Sequence, residues 1–252
     1  MGELKIQDKE IVSPGQILAA GMDYLPTAGT LREGEDIVAS QLGIVSINGR
    51  LIKVIPLTGK YFPKVGDTII GKVVEMSFGG WYLDIGCAYD AMLPLKEVPE
   101  YIERDSDLTR HYDYGEYICA IVSLTLIPRL VEISMKGGPS CRKLRGGKII
   151  QVSSNKVPRI IGKQGSMVSM IKELTGCRIV VGQNGWVWIQ GENPKMELLV
   201  TNAIKKIEEE AHKEGLTESI KAFLEKETGI KLKEKEIKEE IKETENGIQE
   251  EI

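Results

Sequence analysis

Two glycines that flank Lys163 and Gln164 limit the fold of this chain more than any other short stretch. The sequence RIIGKQGSMVSM places Gly162 and Gly165 between a branched apolar run and a run with helical spacing. Glycine has no Cβ and adopts positive φ readily, so the pair allows a sharp turn between two helices. The same two positions let a ligand approach the backbone closely.

The segments on either side of this turn predict a small α/β domain. GKIIQVSS is typical of a strand and NKVPRIIG of a short helix, and SMVSMIKELTG predicts a second helix that Gly176 ends. CRIVVGQNGWVWIQG predicts a hairpin that turns at Asn184-Gly185. NPKMELLVTNAIKKIEEEA predicts a final helix with Asn193 as its cap. The predicted element order is βααββα.

The turn also has the chemistry of an anion-binding site. The helix that begins near Ser166 points its free N–H groups and partial positive charge toward the turn. Lys163 adds a full charge, and Gln164 adds a hydrogen-bond donor. The neighbouring Ile160 and Ile161 offer an apolar wall on which bases can lie.

A G-x-x-G turn in this element order resembles the KH domain of the common eukaryotic and archaeal topology. The resemblance implies that the turn clamps about four nucleotides of a single strand. The RNA-binding residues implied for this loop are Arg159, Ile161, Gly162, Lys163, Gln164 and Gly165. The alternative is a helix-turn-helix corner that needs glycine only for its turn, and it leaves the basic residues around the turn without a role.

The charges are segregated along the chain, which the net charge of −4 and the pI of about 5.5 conceal. Residues 139–190 contain nine basic side chains and one acid, Glu173, whereas residues 208–252 contain fifteen glutamates and eight lysines. A basic module beside an acidic segment predicts a polyanionic partner for that module.

The sequence of residues 64–138 predicts a β-rich domain that precedes the α/β domain. Short runs of Val, Ile, Tyr and Trp separated by glycines, without a long helical period, indicate about five strands that close into a small barrel. The stretches VGD, GGWYLDIG and EISMK resemble the S-one-type OB domain, which is an RNA-binding barrel. On that resemblance Tyr82 is a base-stacking aromatic, with Phe78 beside the other aromatic position and Lys96 nearby in a weaker RNA site.

Two aromatic features also have a purely structural interpretation. Trp81 alternates with Leu83 into the core, so Tyr82 is either a stacking residue or a surface aromatic without a ligand. Trp186 and Trp188 lie on one face of a strand. They either stack bases or, as is commoner for such a pair, pack against the helix that crosses the sheet.

The two ends of the chain differ in character. Residues 1–63 predict a small β domain, because β-rich runs alternate with turns such as Asn48-Gly49. Residues 213–252 predict an acidic Glu/Lys-rich tail that is helical or disordered. A solvated helix with a frayed end is the favoured form of this tail, and a partner-binding helix is the alternative.

The residue types that most enzymes need are scarce. The only histidines are His111 and His212, and the four cysteines are too far apart for a C-x-x-C pair. We therefore predict reduced thiols, no catalytic residue, no metal and no cofactor. The one carboxylate cluster that suits a metal-dependent ribonuclease is Glu100, Glu103, Asp105 and Asp107. Its polar surroundings favour a solvated loop instead.

The apolar runs are short. No stretch approaches the roughly 18 apolar residues of a membrane span, and the N-terminal MGELKIQDKE lacks the apolar region of a signal peptide. We expect a cytoplasmic protein that does not contact membranes.

The order of these modules resembles the RNA-binding cap subunits of the archaeal exosome, a multisubunit complex of RNA degradation and processing. The resemblance implies a multidomain α+β protein with four parts. These are a ring-docking β domain at 1–63, an S-one-type barrel at 64–138, a KH domain at 146–212 and the tail at 213–252.

The same resemblance implies a non-catalytic subunit that is present in three copies on a ring of RNase PH-like subunits. Such a cap guides the 3′ ends of single-stranded RNA into the phosphorolytic chamber of the ring. The alternative is a free-standing single-stranded RNA-binding regulator, such as a transcription or translation factor. The N-terminal β domain favours the cap, because a regulator needs no ring-docking platform.

Overall fold

The computed structural model describes residues 2–57, 59–103, 106–126, 130–138, 140–211 and 215–229. They divide into two compact units. The first unit contains the described residues up to Leu144 together with 151–157 and 182–186, and the second contains 145–150, 158–181 and those from Val187 onward. No described helix is long and apolar enough to cross a membrane.

The N-terminal part of the first unit is built from eight short strands. They are β1 Glu3–Leu4, β2 Ile11–Val12, β3 Ile17–Ala20, β4 Leu25–Pro26, β5 Thr30–Glu33, β6 Asp36–Ala39, β7 Gly43–Asn48 and β8 Leu51–Pro56. They form two four-stranded sheets with the orders β1-β3-β6-β5 and β2-β7-β8-β4. Leu18, Ile37, Val45 and Ile52 are fully buried in their core. The predicted β structure of this region is confirmed.

The β7–β8 hairpin turns one residue later than the sequence predicts. Asn48 pairs with Leu51, so Gly49 and Arg50 form the two-residue loop. Gly49 has φ +60°, the left-handed conformation that this kind of turn requires. The Asn-Gly signal therefore located the hairpin, but its asparagine is the last residue of the strand.

A barrel follows in the same unit. Its strands are β9 Thr68–Ser77, β10 Gly80–Asp84, β11 Ala91–Pro94, β12 Tyr117–Leu126 and β13 Leu130–Ser134. The order β13-β11-β10-β9-β12 closes through a β12–β13 pairing, which confirms the five-stranded barrel. A further short strand, β14 at Arg142–Leu144, pairs with β12. Trp81 and Leu83 alternate into the core, where the Trp81 Nε1 donates to the Tyr112 carbonyl oxygen at 3.0 Å.

The predicted βααββα order is also confirmed. Its elements are β15 Lys148–Gln151, α1 Val157–Ile161, α2 Ser166–Thr175, β16 Arg178–Val181, β17 Trp186–Gln190 and α3 Pro194–Glu209. The sheet order is β15-β17-β16. Asn193 caps α3, because its Oδ1 accepts a hydrogen bond from the Lys195 N–H at 3.0 Å. Gly176 ends α2 in the left-handed conformation at φ +66°.

A fourth helix, α4 at Leu216–Thr228, packs against α2 and α3 within the second unit. Leu216, Ile220 and Leu224 are buried on one side of it, and the Lys206 Nζ lies 5.0 Å from the centre of the Phe223 ring. The prediction of a solvated helix was wrong for this stretch, because its apolar side is covered. The rest of the predicted tail, residues 213–214 and 230–252, lies outside the described residues.

The tip of the β16–β17 hairpin belongs to the first unit and packs on the barrel. The Asn184 Nδ2 donates to the carbonyl oxygens of Ile70 and Ile85 at 2.7 and 2.9 Å. Its Oδ1 accepts a hydrogen bond from the Ile70 N–H at 3.3 Å. The Gln183 N–H donates to the Thr68 carbonyl oxygen at 2.8 Å. One amide side chain thus satisfies three backbone groups of the barrel.

Candidate nucleic-acid interface

The G-x-x-G turn contains three residues with positive φ. Gly162 has φ +77° and ψ 178°, Gln164 has φ +51° and ψ 27°, and Gly165 has φ +81° and ψ 5°. The Gly162 conformation is essentially restricted to glycine. A Cβ atom there would also lie 2.8 Å from the backbone N and the Cβ of Met167, whereas a Cβ on Gly165 would meet nothing within 4 Å. Glycine is therefore required at position 162 both by the backbone conformation and by the close packing against Met167. At position 165 it is favoured by the backbone conformation alone.

The turn leads directly into the ten-residue helix α2. Gly165 is the N-cap of this helix and supplies no side-chain hydrogen bond to it. The first N–H groups of a helix are left without intrahelical partners and carry partial positive charge. This helix start therefore faces the loop as a donor for an anion.

The charged and polar side chains at the turn are available to a ligand. Arg159, Lys163 and Gln164 are exposed, and Ile161 is half-buried. The ion pairs found among the described residues involve neither Arg159 nor Lys163. The loop therefore presents two exposed cations that form no ion pair with a described carboxylate.

The apolar wall is smaller than the sequence predicts. Ile160 is fully buried and cannot contact a base, so Ile161 is the part of the predicted wall that a ligand can reach. Adjacent residues of a helix point in different directions, which is why one isoleucine enters the core while the next stays at the surface.

The barrel brings together two of its three predicted site residues. Phe78 is 97% exposed in the turn between β9 and β10. Lys96 is also exposed and follows Leu95, whose N–H donates to the Gly79 carbonyl oxygen at 3.1 Å. Tyr82 is half-buried on the outer face of β10, where its strand partners are Glu75 and Met92.

Lys136 is a candidate that sequence reasoning missed. Its Nζ donates to the Lys96 carbonyl oxygen, which places a second exposed ammonium group at the same end of the barrel. Lys136 ends the EISMK stretch that identified the barrel, but nothing in the sequence shows that this stretch returns to Lys96. We define the hairpin end as Phe78, Lys96 and Lys136.

The surroundings of Tyr82 are acidic. Glu75 on β9 lies directly opposite Tyr82, and Asp84 follows two residues later on the same strand. The pKa of Asp90 is raised, first by burial and then by the negative charges of Asp84 and Glu75. Carboxylates close enough to shift the pKa of a neighbour also repel phosphate groups.

The tryptophan pair offers no ring face for stacking on a base. Trp186 and Trp188 are both buried. The Trp186 ring meets the ring of Tyr117 edge to face at a centroid distance of 5.9 Å. Its packing partner is therefore a barrel aromatic, whereas the sequence predicts a crossing helix. The Trp188 Nε1 donates to the Gly146 carbonyl oxygen at 2.8 Å.

Two members of the predicted carboxylate cluster, Glu100 and Asp107, contact side chains close to them in the sequence. The Nδ1 of His111 lies 3.5 Å from a Glu100 carboxylate oxygen. Asp107 accepts hydrogen bonds from the N–H and hydroxyl of Thr109, and these bonds lower its pKa. Asp105 lies outside the described residues. Within the described ranges, no group of three or more potential ligands is arranged to hold a metal ion.

Comparisons with known proteins identify both domains. Residues 60–122 match the family model of the Rrp4 S1 domain, and residues 147–195 match that of a KH domain. The chain is 44% identical over 254 residues to the exosome complex component Rrp4 of Pyrococcus furiosus, and this alignment covers 100% of the chain and 96% of the relative.

Two further comparisons give the same result. The exosome complex component Rrp4 of Thermococcus kodakarensis is 43% identical over 227 residues, which is 89% of this chain and 88% of that relative. A crystal structure described as that of an exosome complex RNA-binding protein matches with a TM-score of 0.60 at 32% identity. The matched region covers 67% of this chain and 97% of the chain in that structure.

Proposed function

Because the chain belongs to the Rrp4 family of exosome complex components, we propose that it is a non-catalytic, RNA-binding subunit of an exosome. The observation that carries the proposal is the G-x-x-G turn. It combines a Gly-only backbone, the start of an uncapped helix and the exposed cations Arg159 and Lys163. These features suit a single-stranded sugar-phosphate chain.

We further propose that the four segments inferred from the sequence have different roles in the exosome subunit. Residues 1–63 dock on a ring of RNase PH-like subunits, 64–138 and 146–212 bind RNA, and 213–252 form the acidic tail. Three copies on one ring guide the 3′ ends of single-stranded RNA into a phosphorolytic chamber. The setting for this activity is the cytoplasm.

Modest RNA affinity at each module is sufficient for such a role. Sequence-independent binding to nucleic acid has dissociation constants of about 10⁻⁴ to 10⁻⁶ M at physiological salt. Tethering several modules raises the avidity by about 10² to 10⁴ without any new contact, provided that the strand reaches all of them.

An aliphatic row on the N-terminal sheet supports the docking role. Ile11 on β2, Ile44 on β7 and Ile55 on β8 are consecutive cross-strand partners on the outer face. Ile11 is 62% exposed and Ile55 is 49% exposed. The Leu57 N–H donates to the Leu42 carbonyl oxygen at 3.3 Å, and both of these side chains are exposed beside the row. A contiguous exposed apolar surface is typical of a protein interface.

Changing Lys163 and Gln164 together to aspartate tests the RNA-binding part of the proposal. We expect the affinity for a labelled single-stranded oligoribonucleotide to fall about tenfold or more. The reason is that a carboxylate at each position replaces attraction to phosphate with repulsion. The slope of log affinity against log salt should flatten by about one unit for each lost phosphate contact. Fluorescence anisotropy over a salt series measures both quantities.

A matched variant changes Ser169 and Lys172, which are exposed farther along α2, to aspartate. This pair alters the net charge by the same amount as the loop pair but leaves the turn intact. We expect it to retain most of the affinity. Equal losses from both pairs would show that overall charge, and not the turn, governs binding. Unchanged binding in the loop variant would move the RNA site to the barrel.

Changing Ile55 to lysine tests the docking part. We expect the variant to fold and bind RNA normally, because this side chain is half exposed and remote in sequence from both RNA sites. Binding to the RNase PH-like subunits of the same organism should weaken at least tenfold, because a buried interface disfavours an unpaired ammonium group. Size-exclusion chromatography with mass detection measures the assembly.

Leu31 to lysine is the control for this experiment. Leu31 is also exposed, but it lies on β5 in the other N-terminal sheet. We expect the L31K chain to assemble. A wild-type chain that stays monomeric beside those ring subunits would instead favour a free-standing RNA-binding regulator. Shortening of a labelled RNA by the purified chain, with phosphate or Mg²⁺, would contradict the non-catalytic assignment.

A further inference from the structure

One row of side chains crosses four strands on the outer face of the barrel. Tyr82 on β10 lies opposite Glu75 on β9 and opposite Met92 on β11. Met92 in turn pairs with Glu132 on β13. Directly opposed residues in a sheet have Cβ atoms about 4.5–5.5 Å apart. The ring of Tyr82 and the side chain of Met92 therefore lie between two glutamates.

The next row along the same face contains two more carboxylates. Asp84 follows Tyr82 at the next outward position of β10, and its strand partner on β9 is Lys72. Asp90 immediately precedes β11, whose first residue, Ala91, pairs with Leu83. The two rows together present four carboxylates and one ammonium group. We define Glu75, Asp84, Asp90 and Glu132 as the acidic rows.

The hairpin end has the opposite character. Phe78 is almost fully exposed and supplies a free aromatic face, and Lys96 and Lys136 are both exposed. The hydrogen bond from the Lys136 Nζ to the Lys96 backbone holds the two lysine-bearing segments together. Glu97 is also present, but its side chain is half-buried. An aromatic face flanked by cations is the combination that sequence-tolerant single-strand binding uses.

The two aromatics therefore differ in what surrounds them. A base that stacks on Tyr82 would bring its phosphates toward Glu75 and Glu132. A base that stacks on Phe78 would bring its phosphates toward two ammonium groups. Stacking contributes about the same in both cases, so the electrostatic difference decides between them.

We propose that single-stranded RNA crosses the barrel at the hairpin end, and that the acidic rows keep the phosphate chain away from Tyr82. This inference rests on the proposed RNA-binding function and assigns the path of the strand within it. Phe78 is the stacking residue of the barrel. Lys96 and Lys136 bind phosphate, and Glu75 and Glu132 restrict the strand to that end.

A matched pair of substitutions tests this path in the full-length chain. Phe78→Leu and Tyr82→Leu each remove an aromatic ring but keep apolar bulk, so both chains should fold. The probe is a labelled single-stranded oligoribonucleotide of about 12 nucleotides, which is within the reach of one barrel. We expect F78L to weaken binding about 5- to 100-fold and Y82L to change it less than twofold.

A second pair tests the acidic rows by a gain of binding. Glu75→Gln together with Glu132→Gln should raise the affinity about two- to fivefold at low salt, and the gain should vanish at high salt as screening increases. Glu33→Gln with Glu35→Gln removes the same charge from exposed positions near β5 and should change the affinity less. A gain of equal size in both pairs would overturn the role of the acidic rows.

The outcomes separate this inference from the function on which it rests. If the wild-type chain binds the oligonucleotide and Y82L weakens binding more than F78L, the proposed path is wrong and RNA binding stands. If the wild-type chain binds and neither leucine variant weakens it, the path is also wrong. If the wild-type chain binds no single-stranded RNA at all, the proposed function fails and the path fails with it.

Discussion

Replacing Asn184 with alanine is expected to lower the free energy of unfolding of the first unit by about 3 kcal/mol. The Asn184 side chain is only 5% exposed, and it satisfies the N–H and carbonyl oxygen of Ile70 and the carbonyl oxygen of Ile85. A buried polar group that loses its partner costs about 1–3 kcal/mol. Water entering the space that the amide vacates relieves part of that cost.

Urea unfolding followed by tryptophan fluorescence measures this effect, because Trp81 and Trp186 both belong to the first unit. Gln183→Ala is the matched control. Gln183 is exposed, and the contact that it makes with Thr68 comes from its backbone, which alanine preserves. We expect Q183A to unfold close to the wild-type midpoint. A midpoint for N184A that coincides with that of Q183A would show that the three hydrogen bonds contribute little.

Replacing Gly162 with alanine should have the second large effect. The backbone conformation of Gly162 is restricted to glycine, and the new methyl group would lie 2.8 Å from two atoms of Met167. Backbone strain of this kind costs about 1–3 kcal/mol, and overpacking costs about as much again. We expect a loss of about 3 kcal/mol in the stability of the second unit. RNA affinity should fall at least tenfold, because the turn must change shape.

Gly165→Ala is the informative comparison for this variant. Gly165 also has positive φ, but a methyl group there meets nothing within 4 Å. The cost is then conformational alone, about 1–2 kcal/mol. Thermal unfolding followed by circular dichroism at a helical wavelength compares the two, and anisotropy compares their RNA affinities. If G162A is no less stable than G165A, the close contact with Met167 does not constrain the turn.

The sequence predicted those features that depend on local chemistry. The order βααββα could be predicted because periodicity, capping by Asn193 and termination at Gly176 are all encoded within a few residues of where they act. The G-x-x-G turn could be predicted because its glycines and Lys163 are adjacent in the chain. The five barrel strands were predictable for the same reason, since their alternation and their glycines are local.

Other features depend on which distant segments meet. Lys136 joins Lys96 across 40 positions of sequence, and Asn184 joins Ile70 across 114. Trp186 has the same local pattern whether a helix or Tyr117 covers it. The acidic surroundings of Tyr82 arise because Glu75 and Glu132 come from strands that are neighbours of β10 and β11 only after the barrel closes.

The sequence by itself determined the element types, the position of the G-x-x-G turn and the charges carried at that turn. Only the tertiary structure decided which isoleucine of the loop is reachable, which carboxylates surround Tyr82 and what the hairpin tip at Asn184 holds. The physical reason is the distance along the sequence over which each effect acts. Propensities and caps act over a few residues, whereas burial and electrostatic environment are properties of surfaces that the folded chain assembles from segments far apart in sequence.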